Sequence, residues 1–208
     1  MKHLVYIILC FVMLCNVHLV NAQGDVKIGK QTWMSKNLDV STFRNGEAIP
    51  EAKSKEEWAK AYKNKTAAFC NYDYDSKNGK VYGKLYNWYA VNDSRGLAPA
   101  GYHIPSDAEW SVLTEYLGEK NAGFKMKSTS GWSNGGNGDN SSGFNGLPGG
   151  YCNYLGSFDF ITYYGYFWSS SESDTNIAWY RNLYDNQAKV YRSFNNKNNG
   201  FSVRCLRD

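Results

Sequence analysis

The chain has 208 residues, of which 42% are hydrophobic and 16% are aromatic, and its formal net charge is +4. A chain of this length can bury a substantial core within one domain and does not require a second. Its Lys and Arg residues are scattered among acids and form no basic stripe, which argues against nucleic acid as a partner. The 17 Tyr, 10 Phe and 20 Gly residues indicate a loop-rich α+β or β protein.

Residues 1–22 have the pattern of a secretory signal peptide. Lys2 gives a positive start, residues 4–14 form an apolar run, and Ala22 ends a small-residue cleavage site before Gln23. The apolar core is too short for a membrane span, although an uncleaved anchor is the alternative. We therefore expect a single mature domain over residues 23–208 that is exported and secreted, periplasmic or held at the cell surface, with no membrane span.

Three cysteines remain after this segment, namely Cys70, Cys152 and Cys205. An exported chain can keep a disulfide, and an odd number of cysteines leaves one thiol unpaired. The residues themselves leave all three pairings open.

Two helices are predicted with clear start signals. In the first, Ser54 is the predicted N-cap, and Glu57 lies three residues later at the position of a capping box. In the second, Ser106 and Glu109 form a capping box, apolar residues recur at helical spacing up to residue 117, and Gly118 ends the helix. Other segments read as turns, short strands and glycine-rich loop.

The first half of the mature chain carries several β signals. Residues 26–34 alternate around Gly29, which predicts a two-residue hairpin, and the Asn-Gly pairs at 45–46 and 78–79 predict two further turns. Residues 67–74 are a possible strand. Residues 81–91 fit either a buried strand or a short helical turn.

The second half begins with a long polar loop and ends in a predicted meander. Residues 121–150 lack periodicity, but Phe124, Trp132 and Phe144 indicate that this loop packs onto the domain. Three segments with period-two patterning then follow, at 177–184, 188–194 and 201–205, and they predict a three-stranded antiparallel meander.

Few residues suit catalysis. His103 is the one histidine beyond residue 22, and a structural role is the more usual one for an isolated histidine. The sequence contains no Cys-x-x-Cys pair, phosphate-binding glycine loop or His-Glu-x-x-His motif. We expect no catalytic residues, no metal site and no cofactor.

Calcium binding is the alternative to that expectation. Asp73 and Asp75 begin a segment similar to a calcium loop, but Lys77 and Lys84 occupy two of its ligand positions, so a polar turn is favoured. Asp139, in the long loop, is a second candidate for calcium binding.

The last third of the chain is rich in aromatic residues and Asn, a composition typical of recognition surfaces. The alternative is an ordinary β domain whose tyrosines are half buried. Alternation places Tyr180, Asn182 and Tyr184 on one face, which favours their exposure. The predicted ligand contacts are Trp168, Trp179, Tyr180, Asn182, Tyr184, Tyr191 and Asn196.

Six segments together resemble one known family. They are TWM at 32–34 with NL at 37–38, LYNWYAV at 85–91, GYHIPSDAEW at 101–110, SGF at 142–144 with LPGGY at 147–151, YFWSSS at 166–171 and GFSVRC at 200–205. In this order they resemble the Fibrobacter succinogenes major paralogous domain family, and the resemblance covers residues 25–208.

The resemblance implies a C-type-lectin-like fold, which is α+β with two short helices, antiparallel sheets and long loops. This branch includes formylglycine-generating enzymes, but their closely spaced cysteine pair is missing here, and so are the calcium-binding motifs of sugar-binding lectins. The resemblance also implies a Cys70–Cys205 disulfide with Cys152 free, and ligand contacts on the last β segments.

The expected function is a non-enzymatic binding or adhesion module for a carbohydrate or protein ligand. One alternative is an enzyme that acts on polysaccharide or through Cys152. Another is a structural subunit of a surface assembly.

Overall fold

The computed structural model describes residues 24–208, so the signal peptide predicted at 1–22 lies outside the described residues. The described part combines short α-helices with mainly antiparallel sheets. Within it, no helix has the length and apolar content needed to cross a membrane.

The helices of the described residues are α1 Lys55–Asn64, α2 Ser76–Tyr82, α3 Trp88–Val91, α4 Asp107–Leu117 and α5 Ala122–Met126. The two predicted helices are confirmed as α1 and α4. The Ser106 side chain accepts from the Glu109 backbone N–H, while the Glu109 carboxylate accepts from the Ser106 N–H at 2.7 Å, which completes the capping box.

The turn predicted at residues 78–79 is wrong, because both residues lie inside α2. Asp75 begins this helix by accepting a hydrogen bond from the Lys77 N–H at 2.8 Å. Gly79 packs closely against Asn71, since a Cβ at this position would lie 2.0 Å from Oδ1 of Asn71.

The strands are β1 Asp25–Ile28, β2 Gln31–Met34, β3 Phe69–Cys70, β4 Leu85–Tyr86, β5 Tyr102–His103, β6 Gly149–Cys152, β7 Phe158–Ile161, β8 Tyr164–Asp174, β9 Ile177–Tyr184, β10 Tyr191–Asn196 and β11 Leu206–Arg207. They form a four-stranded sheet of order β1-β2-β11-β5, a five-stranded sheet of order β10-β9-β8-β6-β7, and the pair β3-β4.

The β1–β2 hairpin is confirmed, with Ile28 opposite Gln31 and Gly29 at a φ of 61° in the connecting turn. Both readings of residues 81–91 hold in part, because β4 is followed directly by α3. The possible strand at 67–74 is limited to β3.

The predicted meander exists with a different third strand. β9 pairs antiparallel with both β8 and β10. Residues 201–205 leave this sheet edge, and the Phe201 N–H donates to the Tyr86 carbonyl at 3.1 Å while the Ser202 N–H donates to the Tyr166 carbonyl at 3.1 Å. The alternating pattern of residues 201–205 therefore comes from a buried segment that hydrogen bonds to Tyr86 of β4 on one side and to Tyr166 of β8 on the other.

The long loop packs onto the domain as expected, since Trp132 and Phe144 are buried, although Phe124 remains 42% exposed. The five-stranded sheet has core on both of its faces. Leu183 belongs to the cluster that includes α4, whereas Tyr180 belongs to the largest cluster on the opposite face.

The cysteines do not form the pair implied by the resemblance. Cys70, Cys152 and Cys205 are all buried free thiols. Cys70 lies with Cys152 in one apolar cluster, while Cys205 lies in another, so the side chains of Cys70 and Cys205 pack into different parts of the core.

Candidate ligand-binding face

One face of the five-stranded sheet carries a group of aromatic side chains that we call the tyrosine face. Its members are Tyr151, Phe160, Tyr164, Tyr166, Tyr180, Tyr184 and Tyr191. Strand register brings them together, because Tyr164 lies opposite Tyr184 on β8 and β9, while Asn182 lies between Tyr166 and Tyr191. Directly opposed residues project from the same face of a sheet.

Five of these rings form a continuous row. The centroid of Tyr151 is 6.1 Å from that of Phe160, which stacks on Tyr164 at 4.6 Å. Tyr164 meets Tyr184 edge to face at 4.5 Å, and Tyr184 meets Tyr191 in the same way at 4.8 Å. These are the offset and edge-to-face geometries that aromatic pairs prefer.

The face has a buried floor and a half-exposed rim. Tyr166 and Tyr180 are only 8% and 7% exposed, whereas Phe160 is 45% exposed. Tyr184 and Tyr191 are half-buried. The row therefore presents parts of its rings to solvent while the floor fixes their positions.

Four hydroxyls of the tyrosine face remain protonated at neutral pH. Burial raises the pKa of Tyr151, Tyr166, Tyr180 and Tyr184, each from an ordinary value of 10.0. They are thus available as hydrogen-bond donors as well as acceptors.

Polar groups flank the row at both ends. Asp159 lies opposite Tyr151 across β6 and β7, and burial together with the Asp159 carboxylate raises the pKa of Tyr151. At the other end, Nζ of Lys189 lies 4.4 Å from the centroid of Tyr191. In the floor, Nδ2 of Asn182 donates to the Gly165 carbonyl at 3.2 Å, while its buried Oδ1 has no partner among residues 24–208.

A buried lysine from the long loop holds the turn between β9 and β10. Nζ of Lys127 donates to the carbonyls of Tyr184, Asp185 and Gln187 at 3.0, 3.1 and 3.1 Å. Lys127 is 2% exposed, and burial lowers its pKa. This contact fixes the end of the tyrosine face, and no local sequence signal pointed to it.

The family model described as the Fibrobacter succinogenes major domain matches residues 26–207. The chain belongs to this family. A search of curated proteins finds no match. Solved structures likewise yield no match. The resemblance read from the six sequence segments is thus confirmed for the family.

Three of the contact residues predicted for this family member are buried. Trp168 and Asn182 are 0% exposed and Tyr180 is 7% exposed, so the expected exposure of Tyr180 and Asn182 is wrong. The reason is that β9 is an inner strand with packed side chains on both faces. Trp168 stacks on Phe201 at 4.2 Å.

The other predicted contacts divide between the two faces. Tyr184 and Tyr191 belong to the tyrosine face. Trp179 projects from the opposite face, where the Arg192 guanidinium lies 3.5 Å from its ring centroid. The Asn196 side chain stabilises the turn that follows it, because its Oδ1 accepts from the backbone N–H of Asn198 at 3.0 Å.

Sequence reasoning missed Tyr151, Phe160, Tyr164 and Tyr166 as members of the site. The density of Tyr and Phe over residues 151–170 was the available signal. It did not show which of these rings would share a face, because that depends on the pairing of β6 with β7 and of β8 with β9.

His103 is held between two carboxylates. Its Nδ1 lies 2.7 Å from Oδ1 of Asp208 and its Nε2 lies 2.9 Å from Oε1 of Glu109. Burial lowers the pKa of His103, but the two carboxylates raise it by more, so the net shift is upward. Both ring nitrogens are engaged, which favours the structural role.

The calcium candidates also make local hydrogen bonds. Asp75 caps α2, and Oδ1 of Asp139 accepts from the Ser141 N–H at 2.9 Å and from its hydroxyl at 2.8 Å. Among the residues that the structure describes, no group of three or more His, Cys, Asp or Glu side chains is placed to hold a metal ion.

Proposed function

We propose that this protein is an exported, non-enzymatic binding module that holds a carbohydrate on its tyrosine face. The observation that carries the proposal is the row of five rings from Tyr151 to Tyr191, which remains partly open to solvent. Aromatic residues left half-exposed beside polar groups are a usual feature of recognition surfaces.

The chemistry of the face suits a sugar. The C–H groups on one side of a pyranose ring carry small positive partial charges, and an aromatic ring has a negative face. The tyrosine hydroxyls, Asp159 and Lys189 supply donors and acceptors for sugar hydroxyls along the same surface. A row of rings favours an oligosaccharide that lies across several strands over a single sugar unit.

Two observations support binding over catalysis. Both nitrogens of His103 are occupied by carboxylates, which leaves no free imidazole nitrogen to serve as a base. Cys152 is 0% exposed, so a substrate has no direct access to its thiol.

For the fold we propose the C-type-lectin-like architecture implied by the family resemblance. The combination of short helices, antiparallel sheets and a long packed loop supports it. Calcium-independent binding is part of the proposal, because the described residues place no metal-binding group near the tyrosine face.

The test is a glycan array that includes host and plant oligosaccharides, probed once with calcium and once with chelator. We expect saturable binding that is equal in both conditions. Binding that disappears with chelator contradicts the calcium-independent mode and directs attention to Asp73, Asp75 and Asp139. An array without any binding contradicts carbohydrate recognition and favours a protein ligand.

A further inference from the structure

Two cysteines that lie 82 positions apart in the sequence meet in one buried cluster. Cys70 belongs to β3 and Cys152 belongs to β6, and both are 0% exposed. Their side chains pack into the same cluster, where the Cys152 thiol donates to the Asn153 carbonyl at 3.5 Å. The third cysteine, Cys205, lies in a different cluster.

The surroundings of the pair are apolar and closely packed. The cluster includes Trp58 and Tyr72, and a Cβ added at Gly200 would lie 3.0 Å from the Trp58 ring and 3.2 Å from Cβ of Cys152. The two thiols have no third His, Cys, Asp or Glu side chain placed with them to complete a metal site among residues 24–208. A zinc site takes at least three protein ligands, so the pair does not fit one.

We propose that Cys70 and Cys152 form a disulfide that links β3 to β6 when the chain folds under oxidising conditions. Each thiol loses its proton, one S–S bond forms, and two electrons pass to a disulfide oxidant such as oxidised glutathione, which becomes two thiols. Cys205 stays reduced, because it lies in a different part of the core. This proposal does not depend on the ligand of the tyrosine face.

The bond forms before the cluster closes. In the folded dithiol form, burial and the neighbouring Cys152 thiol raise the pKa of Cys70 well above its usual range. The thiolate is the reactive species in disulfide exchange, so the folded pair is protected from oxidants in solution. Exchange is faster while the thiols are still accessible.

The test is disulfide mapping of the full chain after it is unfolded, reduced and refolded in a glutathione redox buffer. Free thiols are alkylated, the protein is digested without reduction, and the peptides are identified by mass spectrometry. We expect one cross-linked peptide pair that joins Cys70 to Cys152, and an alkylated Cys205. Alkylation of both Cys70 and Cys152 in folded protein, or a link between Cys70 and Cys205, overturns the proposal.

Two variants complete the experiment. Cys205→Ser should keep the cross-link, and its midpoint of thermal unfolding should still fall when reductant is added. Cys152→Ser should lose both the cross-link and the response to reductant, because the constraint on the unfolded chain is gone. A response to reductant that Cys205→Ser abolishes would assign the bond to Cys205 instead and contradict the proposal. If Cys152→Ser does not fold, the peptide map of the unaltered chain still decides the question.

Discussion

Tyr164 of β8 and Tyr184 of β9 meet across the two strands, with ring centroids 4.5 Å apart and ring planes at 86°. This edge-to-face contact joins the stacked half of the row, Phe160 on Tyr164, to the half that ends at Tyr191. Such pairs contribute about 0.5–1.5 kcal/mol beyond their buried area. The contact therefore joins the two halves of the row into one packed face.

Replacing Lys127 with Met should loosen the turn at the end of the tyrosine face. Three carbonyls of this turn, from Tyr184 to Gln187, would lose the donor that they share. We expect a loss of about 1–3 kcal/mol in the free energy of unfolding. Chemical denaturation measures the loss, and hydrogen exchange should quicken at residues 185–190. Lys120→Met, at an exposed lysine, is the control and should leave both unchanged.

The long loop depends on glycine where its backbone passes close to other backbone atoms. A Cβ at Gly138 would lie 2.2 Å from the carbonyl oxygen of Phe124 and 2.6 Å from that of Lys127. Gly138→Ala should therefore lower the free energy of unfolding by about 2 kcal/mol or more. Gly149→Ala is the matched control, because its nearest neighbour would be 3.4 Å away. Equal stability of the two variants would contradict the packing described for the loop.

Stability should fall as the pH rises through the range in which His103 loses its proton. The folded protein raises the pKa of His103 above 6.5, because Asp208 and Glu109 outweigh the opposing effect of burial. The protonated form is thus favoured by folding. Its stabilisation is complete below pH 6.5 and is lost above that value as the pH passes the folded pKa.

Denaturation curves across this range measure the effect. His103→Gln should flatten the pH dependence above 6.5. The slope at acidic pH should remain, since the pKa of Asp107 is lowered and its stabilisation is lost as the pH falls through that lowered value. An unchanged slope above 6.5 in His103→Gln would show that the ion pairs contribute nothing.

Export should leave a protein that begins at Gln23. The apolar run at 4–14 and the small-residue site ending at Ala22 are the basis of this prediction. Mass spectrometry of the N-terminal peptide from an exporting bacterial host tests it. A protein that retains residues 1–22 in the membrane fraction would support the uncleaved anchor.

Local signals predicted the elements whose chemistry is local. Ser106 and Glu109 specify the start of α4 through their own hydrogen bonds, and Gly29 marks the first hairpin. The turn prediction at residues 78–79 was wrong because an Asn-Gly pair is a strong hairpin signal, although here it lies within a helix. In the structure the cap from Asp75 begins α2, which includes both residues.

The candidate binding face was predicted only in part, because only some of its features depend on local sequence. Alternation along β9 correctly placed Tyr180, Asn182 and Tyr184 on one face, since side chains alternate in any strand. Their burial depends on β8, β10 and the rings packed above, none of which a single strand reveals. Phe160 joins the row only because β7 pairs with β6, which is a contact between separate segments.

The most direct test of carbohydrate binding at the tyrosine face is the affinity of Tyr164→Ala and Tyr184→Ala for an oligosaccharide found on the array. Titration calorimetry should show a loss of about tenfold or more in each variant, as expected for aromatic contacts at the centre of a binding surface. Tyr116→Ala, at a 65% exposed tyrosine on α4, is the control and should bind like the unaltered protein. Full affinity in folded Tyr164→Ala and Tyr184→Ala would contradict the account.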